Sequence, residues 1–199
     1  QTLWVLKCDI KKFFASVDQD ILLAILEKHI SDKNIMWLLE RVVRSFNGAV
    51  SGKGLPLGNL TSQLLVNIYM NEFDQFVKHD LKAKYYIRYA DDFVVLSMEK
   101  KALLRILPKI RGFLARRLFL SLHPDKVSIR TLASGVDFLG WVYFPDHRVL
   151  RTATKRRMFR NIIAKNSKAE VVGSYLGLLQ HGNTYKMREK ISAQHSHVA

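Results

Sequence analysis

Apolar residues recur along this chain with two different spacings. Short runs rich in β-branched and aromatic residues predict strands at 2–9, 85–89, 93–97, 118–122, 127–129, 136–144 and 149–151. Longer segments, in which apolar residues recur every three or four positions, predict helices from about residue 18, from about residue 32, over 59–78 and over 99–118. A basic helical region begins at Thr154. The chain therefore alternates single strands, a strand pair and helices.

This order predicts an α+β fold based on a ferredoxin-like βαββαβ unit, an antiparallel sheet backed by helices on one face. In such a unit the end of the first strand lies beside the turn between the second and third strands. We expect the helix that begins near residue 32 to serve packing alone. The helix over 99–118 should be interrupted or restarted at Pro108. Residues 136–151 should form one further hairpin that turns at residues 145–148.

Two adjacent carboxylates, Asp91 and Asp92, lie between two of the apolar runs, which predicts a tight hairpin with both acids at its tip. Neighbouring carboxylates repel one another, so the pair favours a bound cation. A solvated Asp-Asp turn is the alternative, because Asp is a common turn residue. Asp9 ends the first strand, and the βαββαβ topology brings it to the same edge. Carboxylates there could hold two Mg²⁺ ions, with Mn²⁺ as the substitute, for phosphoryl transfer.

The chain of 199 residues has a formal charge of +15. For a domain of this size the charge indicates a polyanionic partner, and a generally basic protein is the alternative. The single Cys8 excludes an internal disulfide and a cysteine metal cluster. No apolar run reaches membrane-spanning length and no signal peptide is recognisable, so we expect a cytoplasmic protein with no membrane partner. With the carboxylates, the basic charge predicts nucleotidyl transfer on nucleic acid.

Two further segments suit a polyanion. The glycine-rich stretch from Asn47 to Gly58 would let the backbone approach a ligand, although a surface connection is the commoner use of glycine. The helix that follows it would present free N–H groups suited to phosphate. A row of basic residues suits a phosphate backbone, and its members are Arg151, Lys155, Arg156, Arg157 and Arg160.

Four motifs, in order, resemble those of the reverse transcriptase palm, and the resemblance covers about residues 3–188. DIKKFFASVD at 9–18 resembles the first catalytic motif, and YADD at 89–92 resembles the YxDD box. Lys126 with its neighbours resembles the lysine motif that follows, and FLGW at 138–141 resembles the primer-grip hairpin. The resemblance implies an RNA-directed DNA polymerase that adds deoxynucleotides to a primer 3′ end by a two-metal mechanism.

The resemblance also implies residue roles. Catalytic metal ligands would be Asp9, Asp91 and Asp92, with the backbone carbonyl of Ile10 as a further ligand. Phe14 would exclude a ribose 2′-hydroxyl, and a core aromatic is its alternative. The nucleotide site would also include Lys11, Lys12, Gly58, Gln63 and Lys126. The alternative for the three lysines is that each is an ordinary solvated surface residue. The primer terminus would be held by Phe138, Leu139, Gly140 and Trp141.

LPLGNLTSQ at 55–63, SYLG at 174–177 and HGNT at 181–184 are similar to reverse transcriptases of bacterial diversity-generating retroelements. Such enzymes copy a template RNA with adenine-directed errors and associate with a small basic accessory protein, which implies a bacterial or phage gene. Leu57 departs from the expected glutamine and would loosen discrimination at template adenines. A group II intron or retron enzyme is the alternative within the class. A nucleotide cyclase and a non-catalytic RNA-binding domain are the alternatives outside it.

We expect residues 1–151 to form the palm with its primer-grip hairpin and residues 152–199 to begin a helical thumb. The fingers that precede the first catalytic motif in this family are absent from the chain. We therefore expect the fragment alone to be weak or inactive, because substrate positioning would be incomplete.

Overall fold

The protein folds into two compact units, residues 3–129 and the residues from 130 onward. A computed structural model describes residues 2–46, 48, 50–165 and 168–196, with side chains as far as Ile191. Asn47, the start of the predicted glycine-rich segment, lies outside the described residues. Each unit has its own hydrophobic cluster. Among the helices described, none has the length and apolar character needed to cross a membrane.

The strand predicted at 118–122 is wrong, because that segment forms only an isolated bridge between Leu122 and Ile10. The first unit contains four strands, the last of which extends to residue 131, and five α-helices in the described residues. They are β1 Trp4–Asp9, α1 Phe13–Ser16, α2 Gln19–Glu27, α3 Lys33–Arg44, α4 Leu60–Gln75, β2 Tyr85–Tyr89, β3 Asp92–Ser97, α5 Lys100–Arg117 and β4 Ser128–Thr131. One π-helical turn, Phe76–Asp80, extends α4, and a 3₁₀ turn, Pro124–Lys126, precedes β4. The helix expected from residue 18 begins there because the Asp18 carboxylate accepts hydrogen bonds from the N–H groups of Asp20 and Ile21.

The sheet of this unit has the strand order β2-β3-β1-β4. β3 pairs antiparallel with both β1 and β2, and the register places Asp9 directly opposite Asp92. This order is that of the βαββαβ unit, so the fold class predicted from the sequence is confirmed. The end of β1 and the β2–β3 turn meet at one edge of the sheet.

The two faces of the sheet differ in chemistry because successive side chains of a strand point to opposite faces. Leu6 and Phe93 lie on the helix-covered face, in a core where the rings of Phe73 and Phe93 have centroids 5.0 Å apart. Burying each such ring stabilises the fold by about 1.5–3 kcal/mol. Lys7 and Asp9 lie on the opposite face. Alternation along β1 thus buries apolar groups on one face while it leaves the Lys7 ammonium and the Asp9 carboxylate partly accessible on the other.

α3 packs on the core as expected, through Val43, Met36 and Leu39, but less of its apolar face is covered than its spacing predicts. Its start is as predicted, since the Asp32 side chain caps it. Yet Ile35 is 50% exposed and Leu38 is 57% exposed, and Val43 is the buried residue of this helix. The apolar spacing identified an amphipathic face correctly, but periodicity carries no information about which segment covers that face.

α5 runs continuously from Lys100 to Arg117 through Pro108, so the predicted interruption is wrong. A proline inside a helix removes one hydrogen bond and costs about 3 kcal/mol. Leu103 before the proline, and Ile110 and Leu114 after it, are all buried. Their packing on the core holds both halves of the helix in line and offsets that cost.

The second unit consists of a three-stranded sheet followed by three helices in the described residues. They are β5 Val136–Phe138, β6 Trp141–Tyr143, β7 Arg148–Leu150, α6 Thr152–Ala164, α7 Ala169–Leu179 and α8 Tyr185–Ser196. The single hairpin predicted over 136–151 is wrong, because a turn at Leu139 and Gly140 divides its first strand. Both residues have positive φ, 51° and 83°, the conformation of tight two-residue hairpin turns. The expected palm–thumb boundary at residue 151 is a functional division and stays a prediction.

Candidate active site

The tip of the β2–β3 hairpin carries Asp91 and Asp92. Ala90 and Asp91 form the turn, with Ala90 in the left-handed region at φ 52°. The turn is fixed against β1, because the N–H of Ile10 donates to the carbonyl of Asp91 at 3.1 Å. Asp9, the last residue of β1, is the cross-strand partner of Asp92. Local hairpin geometry and sheet register together therefore bring the three predicted acids to one edge.

The end of β1 is also bonded to the segment before β4. The N–H of His123 donates to the carbonyl of Asp9 at 2.8 Å, and the N–H of Lys11 donates to the carbonyl of Ser121 at 2.9 Å. These two hydrogen bonds hold the segment before β4 against the end of β1. The 3₁₀ turn that ends at Lys126 follows directly after this segment. Lys126, the lysine of the third predicted motif, thus approaches Asp9 although 117 residues separate them.

Two lysines neutralise two of the acids. Lys126 Nζ lies 3.0 Å from Asp9 Oδ2, and Lys7 Nζ lies 3.3 Å from Asp92 Oδ2. Within the described residues, Asp91 makes no ion pair. Lys7 was not among the residues singled out from the sequence. Its signal was present, since a residue two places before Asp9 on a strand must share the face of Asp9.

Burial and the neighbouring carboxylates raise the pKa of Asp91 and of Asp92, so these two acids are harder to ionise. Burial raises the pKa of Asp91, its own backbone N–H opposes that shift, and the Asp9 carboxylate adds to it. Burial also raises the pKa of Asp92, where Lys7 acts in the opposite direction and the two neighbouring carboxylates add to the rise. Such groups gain from a cation that would favour their ionised forms.

The donor chemistry suits a hard divalent cation. Carboxylate oxygens are the ligands that Mg²⁺ prefers, and Asp92 Oδ1 is buried without a hydrogen-bond partner. No set of three His, Cys, Asp or Glu side chains within the described ranges has the spacing of a preformed metal centre. Lys126 and Lys7 each pair with one carboxylate oxygen, on Asp9 and Asp92 respectively. The site therefore offers the type of donor atom that Mg²⁺ prefers, but its side chains do not form a complete coordination shell.

The residues predicted to contact the nucleotide lie on segments that adjoin β1. Lys11 and Lys12 are exposed, and Lys12 has a φ of 47°. Phe14 is half-buried and meets the ring of Phe13 edge-on, with centroids 5.5 Å apart. Its carbonyl accepts a hydrogen bond from the N–H of Leu55 at 2.9 Å, which ties α1 to the glycine-rich segment. Their roles stay predictions.

Gly58 and Gln63 stand at the start of α4. Gly58 has a φ of 91° with open space where a Cβ would lie, and Gln63 is exposed in the first helical turn. A side chain at Gly58 would meet a conformational penalty but no steric clash. Position 58 thus favours glycine because of its backbone conformation and not because space is short.

The predicted primer-grip and basic residues belong to the second unit. Phe138 and Trp141 are buried, Leu139 is 46% exposed, and Gly140 completes the turn between them. An open cleft of about 610 Å³ within this unit is lined partly by Gly140, Arg151, Arg157 and Arg160. Lys155 and Arg156 are exposed on the same helix. The turn and part of the basic row therefore share one concave surface.

Trp141 contacts two residues, Arg148 and Gly182, to which the sequence analysis gave no structural role around this ring. The Arg148 guanidinium carbon lies 5.2 Å from the Trp141 ring centroid. A Cβ placed on Gly182 would clash with the Trp141 ring. The Arg148 carbonyl accepts a hydrogen bond from the Asn183 N–H at 2.8 Å. The HGNT segment thus packs against the β6 strand.

A helix-backed βαββαβ sheet with acids at the end of β1 and at the β2–β3 turn is the architecture of a nucleic-acid polymerase palm. The chain belongs to the reverse transcriptase (RNA-dependent DNA polymerase) family, whose model matches residues 1–143. The recognition made from the four sequence motifs is therefore confirmed.

Similar proteins include the protein YkfC of Escherichia coli (strain K12), which is 29% identical over 189 residues, covering 76% of this chain and 48% of YkfC. A putative COX1/OXI3 intron 2 protein of Saccharomyces cerevisiae is 26% identical over 88 residues, covering 41% of this chain and 10% of that protein. The chain thus spans about half the length of YkfC.

Solved structures with the same fold include two yeast telomerases. Apo telomerase from Candida tropicalis has a TM-score of 0.58 at 14% identity, covering 71% of this chain and 30% of that one. Telomerase from Candida albicans, in complex with a TWJ fragment of telomeric RNA, has a TM-score of 0.58 at 14% identity. The match covers 76% of this chain and 32% of the telomerase chain. At this identity the likeness concerns the fold.

Proposed function

We propose that the protein is an RNA-directed DNA polymerase that adds deoxynucleotides to the 3′ end of a primer paired with template RNA. The observation that carries the proposal is the pairing of Asp9 with Asp92 across β1 and β3, next to Asp91 at the hairpin tip. Membership of the reverse transcriptase family gives this acidic edge its expected chemistry.

Asp9, Asp91 and Asp92 would hold the divalent ions, with the Ile10 carbonyl as a further oxygen ligand. Two bound Mg²⁺ ions, or Mn²⁺ in their place, would stabilise the attacking and leaving oxygens of an in-line displacement. Lys126 keeps an ammonium beside Asp9, where it suits the negative charge that a departing pyrophosphate carries. Phe14 would select deoxynucleotides, and Lys11, Lys12, Gly58 and Gln63 would line the nucleotide site.

Nucleic acid would bind largely through its phosphates. The basic row from Arg151 to Arg160 lies on and next to α6, and its side chains are exposed to solvent. Arg151 is partly neutralised by Asp137, with 2.8 Å between Nε and Oδ2. The template–primer partners follow from this charge and from the family, and the residues 138–141 would hold the primer terminus.

Two subtypes remain in competition. The LPLGNLTSQ, SYLG and HGNT motifs favour a diversity-generating retroelement, with its adenine-directed errors and small basic accessory protein, in a bacterium or phage. The intron-protein relative in Saccharomyces cerevisiae instead favours a group II intron enzyme. Sequencing products made on an RNA template tests the two: errors concentrated opposite adenine favour the first, and evenly spread errors favour the second.

The activity is tested by deoxynucleotide incorporation on a primed RNA template with Mg²⁺, using the full reading frame that contains this chain. We expect Asp91→Asn to reduce incorporation by at least about a thousandfold, because a metal ligand is lost. Asp146→Asn is the matched control, since Asp146 is an exposed turn residue of the second unit.

A folded protein that binds RNA but extends no primer would overturn the polymerase proposal and favour the non-catalytic RNA-binding domain. Conversion of a nucleoside triphosphate without any template would favour the cyclase.

A further inference from the structure

The hairpin tip that carries Asp91 contains a backbone conformation that its sequence does not favour. Ala90 has a φ of 52°, a region that residues with a Cβ avoid. Such a conformation persists when surrounding groups hold it. The peptide after Ala90 must be held for Asp91 to keep one orientation, so the groups that bind this peptide matter for the site.

One of these groups is the guanidinium of Arg88. Its Nη1 donates to the carbonyl of Ala90 at 3.1 Å, on the side of the turn opposite to the bond between Ile10 and Asp91. The two carbonyls of the tip, those of Ala90 and Asp91, are thus both bonded. Arg88 itself belongs to β2, and its side chain is only 9% exposed.

Arg88 is held in turn by the helix beneath the sheet. Its Nε and Nη2 donate to the two carboxylate oxygens of Asp74 on α4, at 2.8 and 2.6 Å. Nη1 also lies 3.3 Å from Oδ1 of Asn67, seven residues and two helical turns before Asp74. The Tyr86 hydroxyl donates to Asp74 at 2.6 Å. This partly buried network, defined here as Asn67, Asp74, Tyr86 and Arg88, therefore couples α4 to the tip.

We propose that Arg88, fixed by Asp74, is a positioning residue that orients Asp91 for catalysis, an inference that rests on the proposed function. The fork of a guanidinium can bond both oxygens of Asp74 and still reach a third acceptor, which the single ammonium of lysine cannot do in the same geometry. The network thereby links the helix whose first turn carries Gln63 to the acids of the β2–β3 turn.

The test compares Arg88→Lys and Asp74→Asn with Tyr69→Phe in the full reading frame. Tyr69 is the matched control because it is a buried residue of α4 whose hydroxyl donates to the Leu118 carbonyl at 2.7 Å. We expect Arg88→Lys to lower kcat about 10- to 100-fold, with KM for deoxynucleotide and primer within about threefold of the parent. Asp74→Asn should act in the same direction, and Tyr69→Phe should lower Tm alone.

A second readout does not depend on activity. Titration of the metal-free protein with Mn²⁺, followed by electron paramagnetic resonance, should show weaker binding in Arg88→Lys than in Tyr69→Phe. If the parent protein extends no primer, the proposed function fails and this titration decides the positioning role by itself. Equal Mn²⁺ affinity and equal kcat in the Arg88 and Tyr69 variants would overturn the inference.

Discussion

Two hairpin tips of this protein are fixed by different kinds of side-chain contact, although the N–H of Arg151 also donates to the Gly140 carbonyl of the second tip at 3.0 Å. At the β2–β3 tip, which carries Asp91, charged and polar groups bond the turn, with Arg88 on one carbonyl and Ile10 on the other. At the β5–β6 tip, formed by Leu139 and Gly140, the adjoining Trp141 is fixed by close packing. The charged β2–β3 tip thus needs hydrogen-bonding side chains in fixed directions, whereas the apolar β5–β6 tip needs a closely packed neighbour.

The two tips should therefore fail in different ways. Loss of the polar contacts at the first tip should lower the rate of incorporation at nearly unchanged substrate affinity. Loss of packing at the second tip should lower stability and weaken primer binding. The following substitutions separate these outcomes, in descending order of expected effect.

Gly182→Ala should have the largest effect on stability. Its Cβ would clash with three atoms of the rigid Trp141 ring, so the ring or the turn after α7 must move. Overpacking of this kind typically costs about 1–3 kcal/mol. Urea unfolding should show that loss, and primer extension should show a raised KM for the primer.

Gly177→Ala is the control for that substitution. Gly177 lies inside α7 of the same unit, and no atom stands within 4 Å of its added Cβ. Alanine should stabilise the helix there by about 0.5–1 kcal/mol. If Gly182→Ala and Gly177→Ala destabilise the protein equally, the contact between the HGNT turn and Trp141 is not the cause of the effect at Gly182.

Asp91→Asn should raise the stability of the metal-free protein at pH 7 while it abolishes activity. Because burial, together with the Asp9 carboxylate, raises the pKa of Asp91, the folded protein binds a proton there more tightly than the unfolded chain does. Ionised Asp91 thus costs stability at neutral pH, and this cost decreases as the pH falls through the raised folded-state pKa and is gone below the unfolded-state pKa. Calorimetry with EDTA should find a higher Tm for the variant at pH 7 and no difference at low pH.

Asp146→Asn supplies a comparison of opposite sign. His147 lowers the pKa of Asp146, so ionised Asp146 stabilises the fold at pH 7. Its replacement should leave Tm unchanged or lower it. A fall in Tm at pH 7 for Asp91→Asn as well would contradict the assignment of repulsion to the first tip.

Arg157→Met should have the smallest effect. Arg157 is exposed on α6 and lines the cleft beside Gly140. If it contacts one phosphate, the slope of log affinity against log salt should fall in magnitude by about 0.7–0.9. Fluorescence anisotropy with a labelled primer–template at several salt concentrations measures the slope. Lys109→Met, which removes an exposed lysine of α5, should leave it unchanged.

Much of the fold could be predicted because it follows from local patterns. The strand that ends at Asp9, the hairpin around Asp91 and the cap at Asp18 each depend on residues close in sequence. The βαββαβ order then restricted the topology to one that brings the acids to one edge. The exposed face of α3, the unbroken α5 and the turn at Leu139 depended on packing and backbone conformation that no local pattern encodes.

The sequence by itself determined the family, the order of the elements and which acids could serve as metal ligands. These features depend on residue types and spacings along the chain. Only the tertiary structure decided that Lys7 pairs with Asp92, that Lys126 pairs with Asp9, and that Arg88 joins α4 to the hairpin tip. Such contacts follow from strand register and from the helix that covers the sheet, because ion pairs and hydrogen bonds need distances that only the folded chain sets.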